Sequence, residues 1–431
     1  MQRVLVLDSN QQPLMPCQPA RARKLLRKGK AAVWRRYPFT IILKDRAGGD
    51  IQSVAFKVDP GSKTTGIALV ADFQRGKRVV WAAELTHRGQ QIRDALLKRR
   101  QLRSSRRSRK TRYRPARFDN RRRPDGWLPP SLQSRVDNIW TWVSRLYRWT
   151  PMDSISMELT RFDTQLMQNA EISGIEYQQG ELQGYEVREY LLEKWGRKCA
   201  YCGATDTPLE VEHLTPGSRG GSNRVSNLTL ACHACNQRKD NQTAAEFGYP
   251  DVQRQAKQPL KDAAAVNATR WDLWRKLQLT GLMLEVGTGG RTKFNRVQQG
   301  YPKTHWLDAA CVGESGESVY AAPGYVPLLI KATGHGSRQM CRTDRYGFPV
   351  RYRLRQKRHF GFQTGDMVQA NVPSGKYSGK HAGRVACRAT GSFDIATNAG
   401  KVTVKHIHCA SVHHADGYTY TKGQGAFLHC G

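Results

Sequence analysis

The chain has 431 residues, more than one compact core holds, and its 70 Lys+Arg against 35 Asp+Glu leave a formal net charge of +35. Repulsion of that size opposes a compact fold unless a polyanion neutralises it, and nucleic acid gains most from clustered cations because each paired phosphate releases counterions. No run is long and apolar enough for a bilayer and no amphipathic anchor stands out, so a membrane partner is excluded.

Met1 to Asp8 carries a short apolar run without a charged leader or a small-residue cleavage site, which sets an expectation of a cytoplasmic chain. Residues 1–52 read as a small α+β unit, with strands at Val4–Leu7 and Phe39–Leu43, a basic helix from Ala20 to Gly29 and a turn at Gln11–Pro16. From Ser53, alternating Val54, Phe56 and Val58 lead into Asp59-Pro60-Gly61, and further strands are expected at Gly66–Val70 and Arg78–Leu85, as antiparallel neighbours. Between Lys98 and Arg123 there are 14 Lys/Arg and one acid, Asp119. That stretch is expected to form a long helix up to Pro115, one that repels itself unless it lies against phosphates. Arg99, Arg100, Arg103, Arg106, Arg107, Arg109, Lys110, Arg112, Arg114 and Arg117 are its candidate nucleic-acid contacts.

After Leu128-Pro129-Pro130, apolar residues Val136, Ile139, Trp140, Val143, Leu146 and Tyr147 recur at helical spacing and read as core. A strand, Ser154–Leu159, follows and ends on Glu158 and Leu159. Residues 165–195 read as a polar helix, 198–248 as a compact Cys/His/Asn module and 262–279 as a helix. From residue 321 onward Gly-rich turns alternate with strands such as Asp366–Val372, Gly383–Ala389 and Val402–Ile407, an all-β region with a basic surface.

Of the ten cysteines, four form two Cys-x-x-Cys pairs, Cys199/Cys202 and Cys232/Cys235, and the other six are scattered. Two such knuckles are a tetrahedral zinc pattern whose closed thiolate shell is structural. Between and after them stand Glu212-His213-Leu214-Thr215-Pro216, Gly220-Gly221, Asn227-Leu228 and Asn236. This order resembles the HNH endonuclease module, a ββα fold holding one divalent ion. The resemblance implies that His213 is the general base, that Glu212 and Asn236 are oxygen ligands of Mg²⁺, and that Asn227 holds the histidine. Two positions depart from the common pattern: Glu212 stands where many members have Asp, and Asn236 where others have a second His. The bland alternative is a zinc ribbon that only binds nucleic acid.

Asp59 before its Gly turn, Glu158 near its strand end, and His305-Trp306-Leu307-Asp308 on an expected helix are each weak signals, with Asp153 and Asp163 as nearby carboxylates. In this order they resemble the three split motifs of a RuvC-type nuclease with an RNase H-like fold. There, Asp59, Glu158 and Asp308 are implied to share a pair of Mg²⁺ ions, with His305 assisting proton transfer. The Arg-rich stretch falls between the first and second motifs and the Cys/His/Asn module between the second and third. That nesting, together with Pro13-Leu14-Met15-Pro16, resembles the IscB family, relatives of the type II CRISPR effector nucleases.

The resemblance implies a multidomain α/β chain. Its RNase H-like RuvC core is split by an Arg-rich bridge helix and an inserted ββα-metal HNH domain, and an all-β C-terminal domain follows. The expected segments are 1–52 (PLMP), 53–88, 126–195 and 251–320 (RuvC parts), 89–125 (bridge helix), 196–250 (HNH) and 321–431 (C-terminal β). It also implies Mg²⁺, structural Zn²⁺ and a guide RNA (ωRNA) as cofactors. The expected partner is double-stranded DNA, met by a protein monomer within a ribonucleoprotein that joins the nucleoid when bound to DNA. HNH would cut the guide-paired strand and RuvC the displaced one, with sequence read by base pairing. A protein-only structure-specific nuclease, of resolvase or homing type, and a catalytically idle RNA-binding protein are the rival readings. His406, His408, His413 and His414, with Cys409, read as a His-bearing β surface rather than a further metal site.

Overall fold

The computed structural model describes residues 2–108, 127–159, 188, 191–192, 194–205, 207–257, 263–336, 340–346, 348–353 and 355–423. In chain order its elements begin with β1 (Val4–Leu7), β2 (Pro13–Cys17), α1 (Pro19–Arg27), β3 (Ala31–Arg35), β4 (Thr40–Leu43), β5 (Val54–Asp59), β6 (Thr64–Phe73), β7 (Gly76–Thr86), α2 (Gly89–Ser108), α3 (Pro130–Trp149) and β8 (Ser154–Glu158). Then come β9 (Leu209–His213), β10 (Leu228–Cys232), α4 (His233–Lys239), α5 (Pro250–Ala256), α6 (Ala263–Gln278), β11 (Met283–Gly287), α7 (Gly289–Gln298) and α8 (His305–Ala310). Twelve strands follow: β12 (Val319–Tyr320), β13 (Leu328–Ala332), β14 (Cys341–Thr343), β15 (Pro349–Tyr352), β16 (Arg358–His359), β17 (Phe362–Gln363), β18 (Met367–Val372), β19 (Gly379–Ala386), β20 (Ser392–Thr397), β21 (Gly400–Lys405), β22 (Cys409–His413) and β23 (Tyr418–Lys422). The chain is thus a mixed α/β protein in two compact units, one of Met1–Val54, Val80–Met152 and Ala322–Gly431, the other of Ala55–Val79 and Asp153–Ala321.

In the second unit, β5 and β6 are sheet neighbours joined by residues 60–63, far too short for a parallel crossover, so they run antiparallel as expected. β8 pairs parallel with β5, and β11 parallel with β8. Val54, Phe56 and Val58 of β5 and Ile155 and Met157 of β8 are fully buried, the burial that parallel strands require on their faces. The register sets Val58 against Met157, so the next residues, Asp59 and Glu158, leave neighbouring strands at the same carboxyl end. Ligand crevices of open α/β sheets form at that end.

The first unit holds a four-stranded sheet in the order β2-β1-β4-β3. The expected turn at Gln11–Pro16 is corrected here: Pro13–Cys17 is strand β2, and the turn precedes it. Asp8 builds that turn, its Oδ1 accepting from the amides of Asn10 (2.9 Å) and Gln12 (2.8 Å). β3 is a strand the periodicity did not suggest. The helix after Pro129 is present as α3, started by Pro130 in its first turn, where no amide hydrogen is needed. Its buried stripe is Val136, Ile139, Trp142, Val143, Leu146 and Trp149, whereas Tyr147, expected in the core, is 49% exposed. Each such burial contributes about 1.5–3 kcal/mol. The C-terminal region is β throughout its described residues apart from one 3-10 turn, with a five-stranded antiparallel sheet, β21-β20-β19-β18-β22, closed over Val368, Phe393 and Ile395.

Candidate active sites

Asp59, Glu158, Asp308 and His305 line one cavity of about 380 Å³ in the second unit. Strand register delivers the first two. The latter two arrive on α8, whose start is fixed by Thr304, its hydroxyl accepting from the Leu307 amide. α8 packs on β6 through Gly66: a Cβ there would lie 1.7 Å from the His305 carbonyl oxygen. The cavity's rim is strongly cationic, with Lys63, Arg197, Arg270, Lys293, Arg296 and Lys303.

Two of these cations engage the carboxylates directly. Arg270 Nη2 donates to Glu158 Oε1 at 3.0 Å, and Arg296 Nε lies 2.8 Å from Asp308 Oδ1, all four side chains being largely buried. Burial pushes the Asp308 carboxyl above its ordinary value, Arg296 opposes the shift, and the negative charge of Glu158 adds to it. Like-charged carboxylates crowded in a low-dielectric cavity form a donor set that a divalent cation would relieve, so the residues fit Mg²⁺. Below them, Lys57 on β5 is fully buried, donates to the Val312 carbonyl at 2.8 Å and lies 3.9 Å from Glu285. Glu285 in turn accepts from Ser156 Oγ (2.5 Å) and the Ser315 amide (2.9 Å). Burial draws the Lys57 ammonium down to about 8, with Glu285 opposing. Neither this layer nor the Arg270 and Arg296 pairs had a spacing signal in the sequence. Asp153 is exposed, and Asp163 lies outside the described residues.

The second constellation is a ββα module. β9 and β10 pair antiparallel, His213 against Leu228 and Leu209 against Cys232, and α4 follows directly. The thiol sulfurs of Cys199, Cys202, Cys232 and Cys235 all lie within 4.8 Å of one another. Cys202 and Cys232 are 3.7 Å apart at sulfur. Four sulfurs about 2.3 Å from a central zinc stand about 3.8 Å apart in a tetrahedron, so the cluster fits that ion.

His213 Nε2 hydrogen-bonds Asn223 Oδ1 at 2.8 Å. Asn227, expected to hold that ring, instead holds the backbone beyond it: its Oδ1 accepts from the Thr215 amide (3.0 Å), and its Nδ2 donates to the carbonyls of Thr215 (3.0 Å) and Ser222 (2.9 Å). Glu212 is buried, accepting from the Tyr201 hydroxyl at 2.6 Å and meeting Lys239 Nζ at 2.5 Å. Asn236 Nδ2 donates to Glu210 Oε2 at 2.6 Å, and His233 pairs with the other Glu210 oxygen at 2.9 Å. Glu212 and Asn236, expected as oxygen ligands of one ion, make no hydrogen bond to each other among these contacts, and Glu210 joins them as a third oxygen donor. Alternation along β9 puts Glu210 and Glu212 on the same strand face, and Glu210 is the one that meets Asn236. Hydrogen bonds from Asn236, then His233, hold Glu210 below the usual carboxylate range. Asn223, Glu210 and His233 were missed because they lie off the module's familiar spacing.

The Arg-rich stretch is helical as expected over α2, carrying Arg99, Arg100, Arg103 and Arg107, all exposed. Arg106 is within α2, and Arg109, Lys110, Arg112, Arg114 and Arg117 lie outside the described residues. No helix among the described residues is long and apolar enough to cross a membrane.

A family model described as RRXRR protein matches residues 4–180, and one described as HNH endonuclease matches residues 199–242. No curated protein matches the chain. Among solved structures, Streptococcus thermophilus Cas9 in complex with the GGAA PAM aligns at 13% identity and TM-score 0.22, covering 60% of this chain and 32% of that one. The same protein with the AGAA PAM aligns at 12% identity and TM-score 0.21, with the same coverage. The chain thus spans about a third of the length of the solved chains it matches. It carries an HNH endonuclease domain, and its thiolate cluster is compatible with metal binding.

Proposed function

We propose, for a chain whose RRXRR and HNH regions fit an IscB-like nuclease with RuvC and HNH centres, that it is an RNA-guided endonuclease cutting both strands of duplex DNA. The observation that carries the reading is the meeting of Asp59, Glu158 and Asp308 on one cavity, from positions up to 249 residues apart, with the ββα module inserted between the second and third. A protein with two such centres has one for each strand.

In the cavity, Asp59, Glu158 and Asp308 would hold Mg²⁺. In the module, Asn236 would hold it with carboxylate oxygen from Glu210 or Glu212. Bound there, the ion supplies charge for the developing oxyanion and acidifies water. His213, oriented by Asn223, takes the proton from the attacking water, a task suited to imidazole near neutral pH. His305, which lines the cavity, moves the equivalent proton at the other centre. Arg270 and Arg296 keep the carboxylates of Glu158 and Asp308 aimed. The HNH centre cuts the guide-paired strand and the RuvC centre the displaced one. The exposed guanidiniums of α2 grip the guide backbone, and sequence choice rests on base pairing.

The test is strand-resolved cleavage by the purified ribonucleoprotein in Mg²⁺. Asp59→Ala abolishes the cut of one strand, His213→Ala that of the other, and the double variant both, each by at least about a thousandfold. Cleavage of both strands by the double variant would sink the assignment. Absence of a discrete co-purifying RNA would favour a protein-only nuclease.

A further inference from the structure

The first unit carries a surface that the cutting centres do not use. Strand β3 ends in Val33-Trp34-Arg35, and both apolar side chains face solvent, Val33 at 56% and Trp34 at 41% exposure. Trp34, Arg35 and Arg148 border two cavities at once and so form a ridge between them. One, of about 520 Å³, is walled by Pro13, Tyr147, Trp149 and Met152. The other, of about 1000 Å³, is walled by Phe39, Gln369 and Ser411 among others.

Charge on this surface is one-sided. Arg35, Arg36, Arg145 and Arg148 line the larger cavity, and Asp416 is the single carboxylate in its lining. That carboxylate is already engaged, 2.8 Å from Arg145 Nη1 and bonded by the Tyr420 hydroxyl. Arg35 lies over the Trp149 ring at 4.6 Å from its centroid, and Arg148 approaches the same ring at 6.0 Å. Burial lowers the Arg35 pKa, and the like charges of Arg145 and Arg148 lower it further against Asp416. Guanidiniums gathered around one occupied acid repel each other until an anion joins them.

We propose that this groove grips an unpaired stretch of the guide RNA, with one base stacked on Trp34 and the flanking phosphates held by Arg36 and Arg148. The inference rests on the guide-RNA reading above and adds a site to it. Exposed aromatics interleaved with arginine are what single-strand recognition uses, since every base has a face to stack and every linkage a charge. An acidic peptide would satisfy the charge but leave the indole face unused. RNA is favoured over DNA because the groove's lining offers polar partners that a 2′-hydroxyl would use. Gln369 and Ser411, both exposed, offer partners to a 2′-hydroxyl.

Ultraviolet cross-linking of the purified complex tests this directly, since trypsin releases Trp34 in the peptide 31–35, which should carry a ribonucleotide adduct. In EDTA, where cutting is blocked, full-length protein stripped of RNA should bind a short single-stranded RNA about tenfold more weakly as Trp34→Ala, and Trp34→Phe should recover most of the loss. Arg36→Ala should reduce the salt slope of that binding by about one. Unchanged affinity and slope in both variants overturn the proposal, as does a groove that prefers DNA of the same sequence or yields its RNA to an acidic peptide. If Trp34-dependent RNA binding persists in a protein that co-purifies with no discrete RNA, the groove is supported and the guided reading fails.

Discussion

Asp416 shows how one side chain sets a local pH limit. Burial alone would raise its pKa, but hydrogen bonds from His413 and Tyr420 and the charge of Arg145 bring it down to about 2. Its folded value lies below the unfolded one of 3.8, so the stabilisation is present above that value and is lost as pH falls towards 2. The contribution is about 2 kcal/mol for a side chain this well buried. The melting temperature of the wild type should therefore fall more steeply between about pH 4 and about pH 2 than that of Asp416→Asn. Parallel curves for the two proteins would refute the assignment. At this scale the sequence is readable where chemistry dictates a local pattern. Cys199, Cys202, Cys232 and Cys235 announce themselves by spacing, whereas Asp59 stands out only in order with Glu158 and Asp308. Arg270, Arg296 and Asn223 do not, because their partners Glu158, Asp308 and His213 are reached through packing and no local rule links them.

Between β6 and α8 the backbones touch at Gly66, where even a methyl group has no room. Gly66→Ala should push α8 outward, carrying His305 and Asp308 off the cavity. Strand-resolved cleavage should then show a loss of at least about tenfold on the strand cut by the carboxylate centre, with the ββα cut retained, since misplacement by an ångström is enough to lower the rate. Equal loss on both strands would point instead to global unfolding. The elements that alternation or helical spacing marked, such as β5 and α3, were legible. β2 was not, because Pro13 and Pro16 read as turn residues. It is an edge strand of its sheet, the one place where proline is tolerated. β3 is short and shows no alternation of apolar with polar residues, and the stripe of α3 keeps Val136, Ile139, Val143 and Leu146 but is completed by Trp142 and Trp149, because Trp140 and Tyr147 matched the apolar period as well.

At the level of the whole chain, the net charge of +35 set the expectation of a polyanion and the order of the motifs that of a layout, while the pairing of distant strands was beyond any local signal. The thiolate cluster and the carboxylate cavity have separate cores. A thiol-preferring chelator, followed by excess Mg²⁺, should therefore abolish the ββα cut and spare the other, read as one nick per duplex; retention of both cuts would show that the cluster needs no ion. β8 and β11 lie side by side in register, Ser154 against Met283 and Glu158 against Gly287, although 124 residues separate the end of one from the start of the other. Parallel neighbours demand a long excursion and are indifferent to what it contains. The excursion leaves at the carboxyl end of β8 and returns at the opposite, amino end of β11, so the ββα module it carries can be lengthened, trimmed or replaced without altering the register of the sheet.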